Sequence, residues 1–126
     1  MSRFLKPNVV RLNLKGGDFI IVKRELTAGE QRRAFARTTK PVKHGQPIEL
    51  DLEKVGISNL VEYLVDWSFV DENGAPVGIK DMPQEYVADV LNSLDADSFA
   101  EISEAIDEHE RTVAEEKKTR STANAS

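Results

Sequence analysis

Catalysis and metal binding draw on a short list of side chains, and this chain is sparing with them. It has two histidines, His44 and His109, and no cysteine. The histidines stand far apart in sequence, in none of the i, i+4 spacings that set two imidazoles on one helix face, and no thiolate is present to complete a zinc set. The lack of cysteine also excludes disulfides and thiol nucleophiles. The segment "KGGD" at 15–18 has two glycines but neither Gly-x-Gly-x-x-Gly nor the P-loop spacing. It joins two strand-like segments rather than opening a helix, so a phosphate cradle is not expected. No serine sits in a Gly-x-Ser-x-Gly elbow. Carboxylates are plentiful between 95 and 116, but they spread along the outer face of a helical pattern, where charge ordinarily only solvates. The expectation is a protein that is not an enzyme, with no catalytic residue, cofactor or metal.

What stands out instead is "YLVDWSFVDENGAPV", residues 63–77, in which an apolar run carrying the single tryptophan passes straight into a turn. Leu60, Leu64 and Trp67 recur at helical spacing, with Val61 and Val65 beside them. Residues 51 to about 70 therefore predict an amphipathic helix, broken at Gly56 or beginning near Ser58. Trp67 would end that helix, as a core residue or as a partly exposed contact for another protein. Asp66 and Ser68 should point elsewhere. Asn73-Gly74 accepts a tight turn and Pro76 prevents helical continuation.

The other elements follow from similar patterns. Val10, Leu12 and Leu14 alternate with Arg11 and Asn13, "KGGD" turns, and "FIIVKR" returns, so residues 9–24 predict a β-hairpin. Two strands alone are marginal in water, so the hairpin must lie on something else. Thr27 with Glu30 forms a capping box for a basic helix over 27–38, expected to bury Phe35 and to project Arg32, Arg33 and Arg37 outward. Pro41, Gly45 and Pro47 punctuate a connection over 39–50, either an ordered crossover or a mobile loop. Asp81 is the expected N-cap of a helix with Pro83 in its first turn and Tyr86, Val87, Val90, Leu91 and Leu94 on its apolar face. Asp95 or Asp97 caps the last helix, whose stripe is Phe99, Ile102, Ile106, His109 and Val113. Residues 118–126 are small and polar and predict a disordered tail. The fold class is α+β, mostly α: an N-terminal hairpin, about four helices (51–117 being the acidic helical part) and one domain over 1–117.

Composition agrees with one domain: 126 residues, 40% hydrophobic and 31% charged. The net charge of −5 hides a strong polarity. Residues 1–46 hold 11 Lys/Arg against 3 Asp/Glu, or +8, and the remainder holds 6 against 19, or −13. Such a chain can satisfy itself internally or show opposite faces to different partners. Arg32, Arg33, Arg37, Lys40 and Lys43 could neutralise phosphates, but no zinc finger, RNP-like aromatic pattern or clear helix-turn-helix accompanies them. A protein partner, or the acidic half of the chain, is the expected counterpart, and nucleic acid is not. Apolar runs such as "FIIV" are too short to cross a bilayer, and charges interrupt the N-terminus where a signal peptide would need an apolar stretch. A cytoplasmic protein is expected, with no membrane partner.

Three segments together resemble a known family. The helix start "LTAGEQRR" at 26–33, the central "YLVDWSFVDENGAPV" at 63–77, and the stretch from "LNSLD" into "EISEAIDEHE" at 91–110 are similar to the small tail assembly chaperones of long-tailed bacteriophages, over an alignable region of about residues 9–112. The resemblance implies a protein that binds the tape measure protein, keeps it soluble and helps recruit tail tube subunits. It would work in the host cytoplasm, would be absent from the mature virion, and could have a longer form made by programmed frameshifting. A long helical client with apolar surface would aggregate if uncovered, and a helical chaperone can cover it through an apolar face. Weak self-association would help many copies line one client, and an acidic exterior would keep them dispersed. The expected protein-interaction residues are Ile106, His109 and Val113, distal to a structural Phe99 and Ile102, together with Tyr63 and Trp67. The alternative is a structural virion protein of the tail tube or head–tail junction, whose hairpin joins a neighbour's sheet.

Overall fold

The computed structural model describes residues 2–40 and 43–124. Strands β1 (Val9–Asn13) and β2 (Phe19–Lys23) form the expected hairpin, with Val10 opposite Val22 and Leu12 opposite Ile20. Its turn uses Gly16 and Gly17 at φ 71° and 83°, the left-handed region in which a side chain would be strained. Ile20 and Val22 are fully buried, while the alternate residues of β1 are exposed.

A third strand, β3 (Leu64–Trp67), pairs antiparallel with the far side of β2 and gives the sheet order β1-β2-β3. This corrects the expectation that Trp67 ends a helix. The helix breaks at Gly56 and restarts at Ser58 as expected, but it stops at Tyr63. The misleading spacing has a physical origin. Leu64 and Trp67 lie three apart, which on a regular strand would put them on opposite faces. The register slips between Ile21 and Val22, so that Leu64 stands opposite Val22 and Trp67 opposite Ile20, and both are buried. The extra residue of that bulge makes a strand imitate helical periodicity. The added strand is also what relieves the hairpin of its marginal size.

Five helical segments pack around the sheet: α1 (Ala28–Arg37), the single turn α2 (Leu52–Val55), α3 (Ser58–Tyr63), α4 (Gln84–Asn92) and α5 (Ala96–Asn124). The capping box at α1 is present, with Glu30 N donating to Thr27 Oγ1 at 3.2 Å and Thr27 N to Glu30 Oε1 at 2.9 Å. Asp95 caps α5, accepting from Ser98 N at 2.9 Å. Asp81 does not cap α4. Pro83 stands in that position, and Asp81 takes a φ of 61° in the turn before it, a conformation its short polar side chain tolerates. The turn after β3 is tied by Asp71, whose Oδ1 accepts from Asn73 N and Ala75 N at 2.9 Å each. In the connection, Pro41 lies outside the described residues; from Lys43 on, the chain turns at Gly45 and returns to pair Leu50 with Thr39.

The backbone of α5 continues helically to Asn124, although the small polar composition from 118 on predicts disorder; Ala125 and Ser126 lie outside the described residues. Nothing between 114 and 124 is a helix breaker, so the helix continues past the end of its packing, since Val113 is its last buried side chain among the described residues.

Candidate functional site

The five residues expected to meet a partner are all interior. Ile106 is fully buried, and Val113, His109, Tyr63 and Trp67 are buried with it. His109 Nε2 lies 2.8 Å from the carbonyl of Arg24, and its ring meets Tyr63 edge-on at 6.1 Å between centroids. Trp67 donates Nε1–H to the Val77 carbonyl at 2.6 Å and packs against Phe69 at 5.0 Å. Burial, with Glu110, Glu25 and Glu30 nearby, pushes the Tyr63 phenol up to about 12. This apolar stripe is spent within the monomer, because the face of α5 opposite the carboxylates is the face laid on the sheet. His109 and Val113 also reach the floor of a groove between β1 and α5.

One buried charge has no signal in the periodicity of the chain. Glu62, between Val61 and Tyr63, has a side chain with no exposure and joins three helices. Arg33 Nε is 3.2 Å from its Oε1, Arg37 Nη2 2.8 Å, and Gln84 Nε2 donates to the same oxygen at 3.0 Å. Burial pushes this carboxyl up, but the hydrogen bonds from Arg33 and Gln84 and the charge of Arg37 outweigh it and hold it below the ordinary carboxylate range. Two of the arginines expected to project outward are thus turned to α3 and α4. The polarity of the chain is satisfied in part internally, since Arg24 of the basic segment also reaches Glu116 of the acidic one at 2.7 Å, while the neighbouring Lys117–Glu25 pair runs the opposite way.

The same rotation of α1 reverses its apolar side. The buried residue is Ala34, whose carbonyl accepts from the Ser58 hydroxyl of α3, and Phe35 is 63% exposed. A small residue lets α1 sit close to α3, and Arg33 and Arg37 flank the contact, so Phe35 points to solvent. Close by in the fold are more exposed aliphatics: Ile48, Leu50, Val55 and Leu52, the last 82% exposed. Two backbone hydrogen bonds bind these segments together, Lys40 N to Glu49 O at 2.8 Å and Asp51 N to Thr38 O at 2.6 Å. Around them stand the exposed cations Arg32, Lys40, Lys43 and Lys54, none of which joins an ion pair among the described residues. A signal for this surface was present in "PIELDLEKV", where Ile48, Leu50 and Leu52 alternate inside a segment set aside as a connection.

The arrangement suits contact with another protein. Among the described residues no cluster of histidine and carboxylates could hold a metal, and no helix is long and apolar enough to cross a membrane. Comparison with known proteins finds no family model, no curated protein and no solved structure that the chain matches.

Proposed function

We propose that the chain is a tail assembly chaperone of a long-tailed bacteriophage. It binds and solubilises the tape measure protein and helps recruit tail tube subunits in the host cytoplasm, without entering the virion and without catalysis. The observation that carries this reading is the exposed apolar group Phe35, Ile48, Leu50, Leu52 and Val55, on a protein whose other large apolar stripes are buried. Exposed apolar side chains gathered in one region, rimmed by charge, mark a protein-contact surface. The exposed cations beside it, Arg32, Lys40, Lys43 and Lys54, favour a client segment with carboxylates next to its apolar anchors. The resemblance in segments 26–33, 63–77 and 91–110 supplies the class of client, a long helical chain that needs covering.

Co-expression with a tape measure fragment tests it. The wild-type chain should keep the fragment in the soluble fraction, and the Phe35→Gln/Leu52→Gln double variant, with an unchanged melting temperature, should lose that effect. A double variant that still solubilises the fragment would remove this surface from the client site. Recovery of the protein as a stoichiometric component of finished particles would replace the reading with the structural one.

A further inference from the structure

We propose that the N-terminal arm, residues 2–8, of one copy adds as a strand to the outer edge of β1 in a second copy, reciprocally, across a groove walled by α5. The proposal is independent of what the apolar surface binds.

The edge is open. Arg24 N donates to Asn8 O at 3.0 Å and Leu14 N to Asp18 O at 2.8 Å, which fixes the even-numbered residues of β1 as those bonded to β2. Antiparallel pairing alternates, so the N–H and C=O groups of Val9, Arg11 and Asn13 point away from the sheet. All three residues are exposed, and β1 is the terminal strand of the sheet order. An open edge of this kind accepts another strand.

Beside that edge runs a groove of about 430 Å³ between β1 and α5, with Leu12 and Ala105 among its lining and Glu108 and Glu116 on its helical side. A second hollow shares Asn13, Ala105 and Glu108 and extends it past Glu104 and Glu101 to Asp97. The helical wall is thus mainly acidic, with Glu116 already held by Arg24 of the lining, and the lining is partly apolar.

The arm has the complementary character. Its sequence is Ser2-Arg3-Phe4-Leu5-Lys6-Pro7-Asn8, basic and without a carboxylate, and Phe4 is 90% exposed with nothing to cover it in the monomer. It leads directly into β1, so two copies can pair arm to edge about a twofold axis near Asn8, as a self-complementary contact requires. In the register that sets Leu5 opposite Arg11, Arg3 meets Asn13, and Pro7, which lacks an N–H, falls opposite Val9 beside the twofold axis, where each arm gives up one ladder hydrogen bond. Phe4 then stands opposite Leu12, on the α5 side of the sheet, and Lys6 opposite Val10 on the same side, toward the α5 wall that carries Glu108. Pairing β1 directly on β1 about Arg11 would set like charges opposite each other, which disfavours that alternative.

The chain has no native cysteine, so cross-linking is clean. A Leu5→Cys chain mixed with an Arg11→Cys chain should form a covalent mixed dimer on mild oxidation, with neither chain alone doing so, since only directly opposed residues come within disulfide range. By sedimentation equilibrium the wild-type chain should dimerise reversibly, Phe4→Asp should weaken the dimer about tenfold or more, and a chain lacking residues 2–7 should be monomeric with an unchanged melting temperature. A monomeric wild-type chain, an arm-deleted chain that dimerises as before, or cross-linking of Leu5→Cys to itself in preference to Arg11→Cys would each overturn the proposal.

Discussion

Helix α5 buries Ile102, Ile106, His109 and Val113 and gives its carboxylates to solvent, whereas α1 gives Phe35 to solvent and turns Arg33 and Arg37 toward a buried carboxylate. Both helices are amphipathic, and both announce an apolar side in the sequence. The difference lies in what packs against them. Helix α5 meets a sheet whose inward side chains, Ile20 and Val22, need a wide apolar cover. Helix α1 meets the short α3, which presents Ser58 and Glu62, so the matching side of α1 is Ala34 with its two arginines. Amphipathicity thus predicts a side that will be covered, but not whether the same chain or another covers it. In α5 the cover is internal; in α1 we read it as external.

The comparison breaks most visibly at Ile106. It has no exposure, and an aspartate there would place an unpaired charge among Ile102, Leu91 and the sheet. Ile106→Asp should cost more than about 5 kcal/mol, enough to abolish the cooperative thermal transition of an ordinary domain. A folded Ile106→Asp chain would mean that the distal half of α5 is displaced readily, and its stripe would again be a candidate for contact with a client.

On the α1 side the counterpart is Glu62. Removing it leaves Arg37, whose Nη1 is already a buried donor without a partner among the described residues, facing α3 with no carboxylate. Glu62→Ala should destabilise by about 3 kcal/mol, the lower end of the loss when one member of a buried pair is removed. The carboxyl is held below its ordinary value in the fold, so its stabilisation is complete above the unfolded pKa of about 4.3 and is lost as pH falls through the folded value. Melting temperatures of wild type and Glu62→Gln should therefore converge in acid and differ at neutral pH. A constant gap across that range would assign the effect of Glu62 to packing rather than to charge.

How much of this was legible in the chain depends on the range of the interaction responsible. The hairpin, its two left-handed glycines, the capping box and the break before Ser58 are decided by residues within a few positions of one another, and they are where the sequence places them. Trp67 was assigned to a helix because a bulge opposite Val22 gives Leu64 and Trp67 a three-residue spacing on one face, and a register slip has no local mark. Glu62 sits in an apolar run, which signals an unusual carboxylate, but its partners Arg33 and Gln84 come from segments 29 and 22 residues away. The outward turn of Phe35 is a consequence of that same pairing. The burial of Ile106, His109 and Val113 was hidden for the complementary reason: periodicity located the stripe of α5 correctly and could not say that it would be covered as far as Val113.

A smaller effect isolates the local contribution to α1. Thr27 is exposed and its hydroxyl accepts the cap hydrogen bond from Glu30 N, so Thr27→Ala should cost about 1 kcal/mol, the usual value of an N-cap. Thermal or denaturant unfolding would read it. A much larger loss would tie the cap to the Lys23–Glu30 ion pair at the helix entrance, which shares the Glu30 carboxylate.

The smallest expected effect on stability is the one that sharpens the comparison most. Phe35 is largely exposed and Leu52 more so, and neither belongs to the buried cluster. Exposed substitutions away from caps and buried networks shift stability by less than about 0.5 kcal/mol. Phe35→Gln keeps a good helix former in α1 and should leave the denaturant midpoint unchanged within that margin, as should Leu52→Gln. The corresponding change on α5, Ile106→Gln, should cost several kilocalories per mole, on the order of the loss from an emptied or polar core site. If Phe35→Gln were as damaging as Ile106→Gln, Phe35 would be packed within the monomer in solution, α1 and α5 would obey the same rule, and the surface assigned to a client would close.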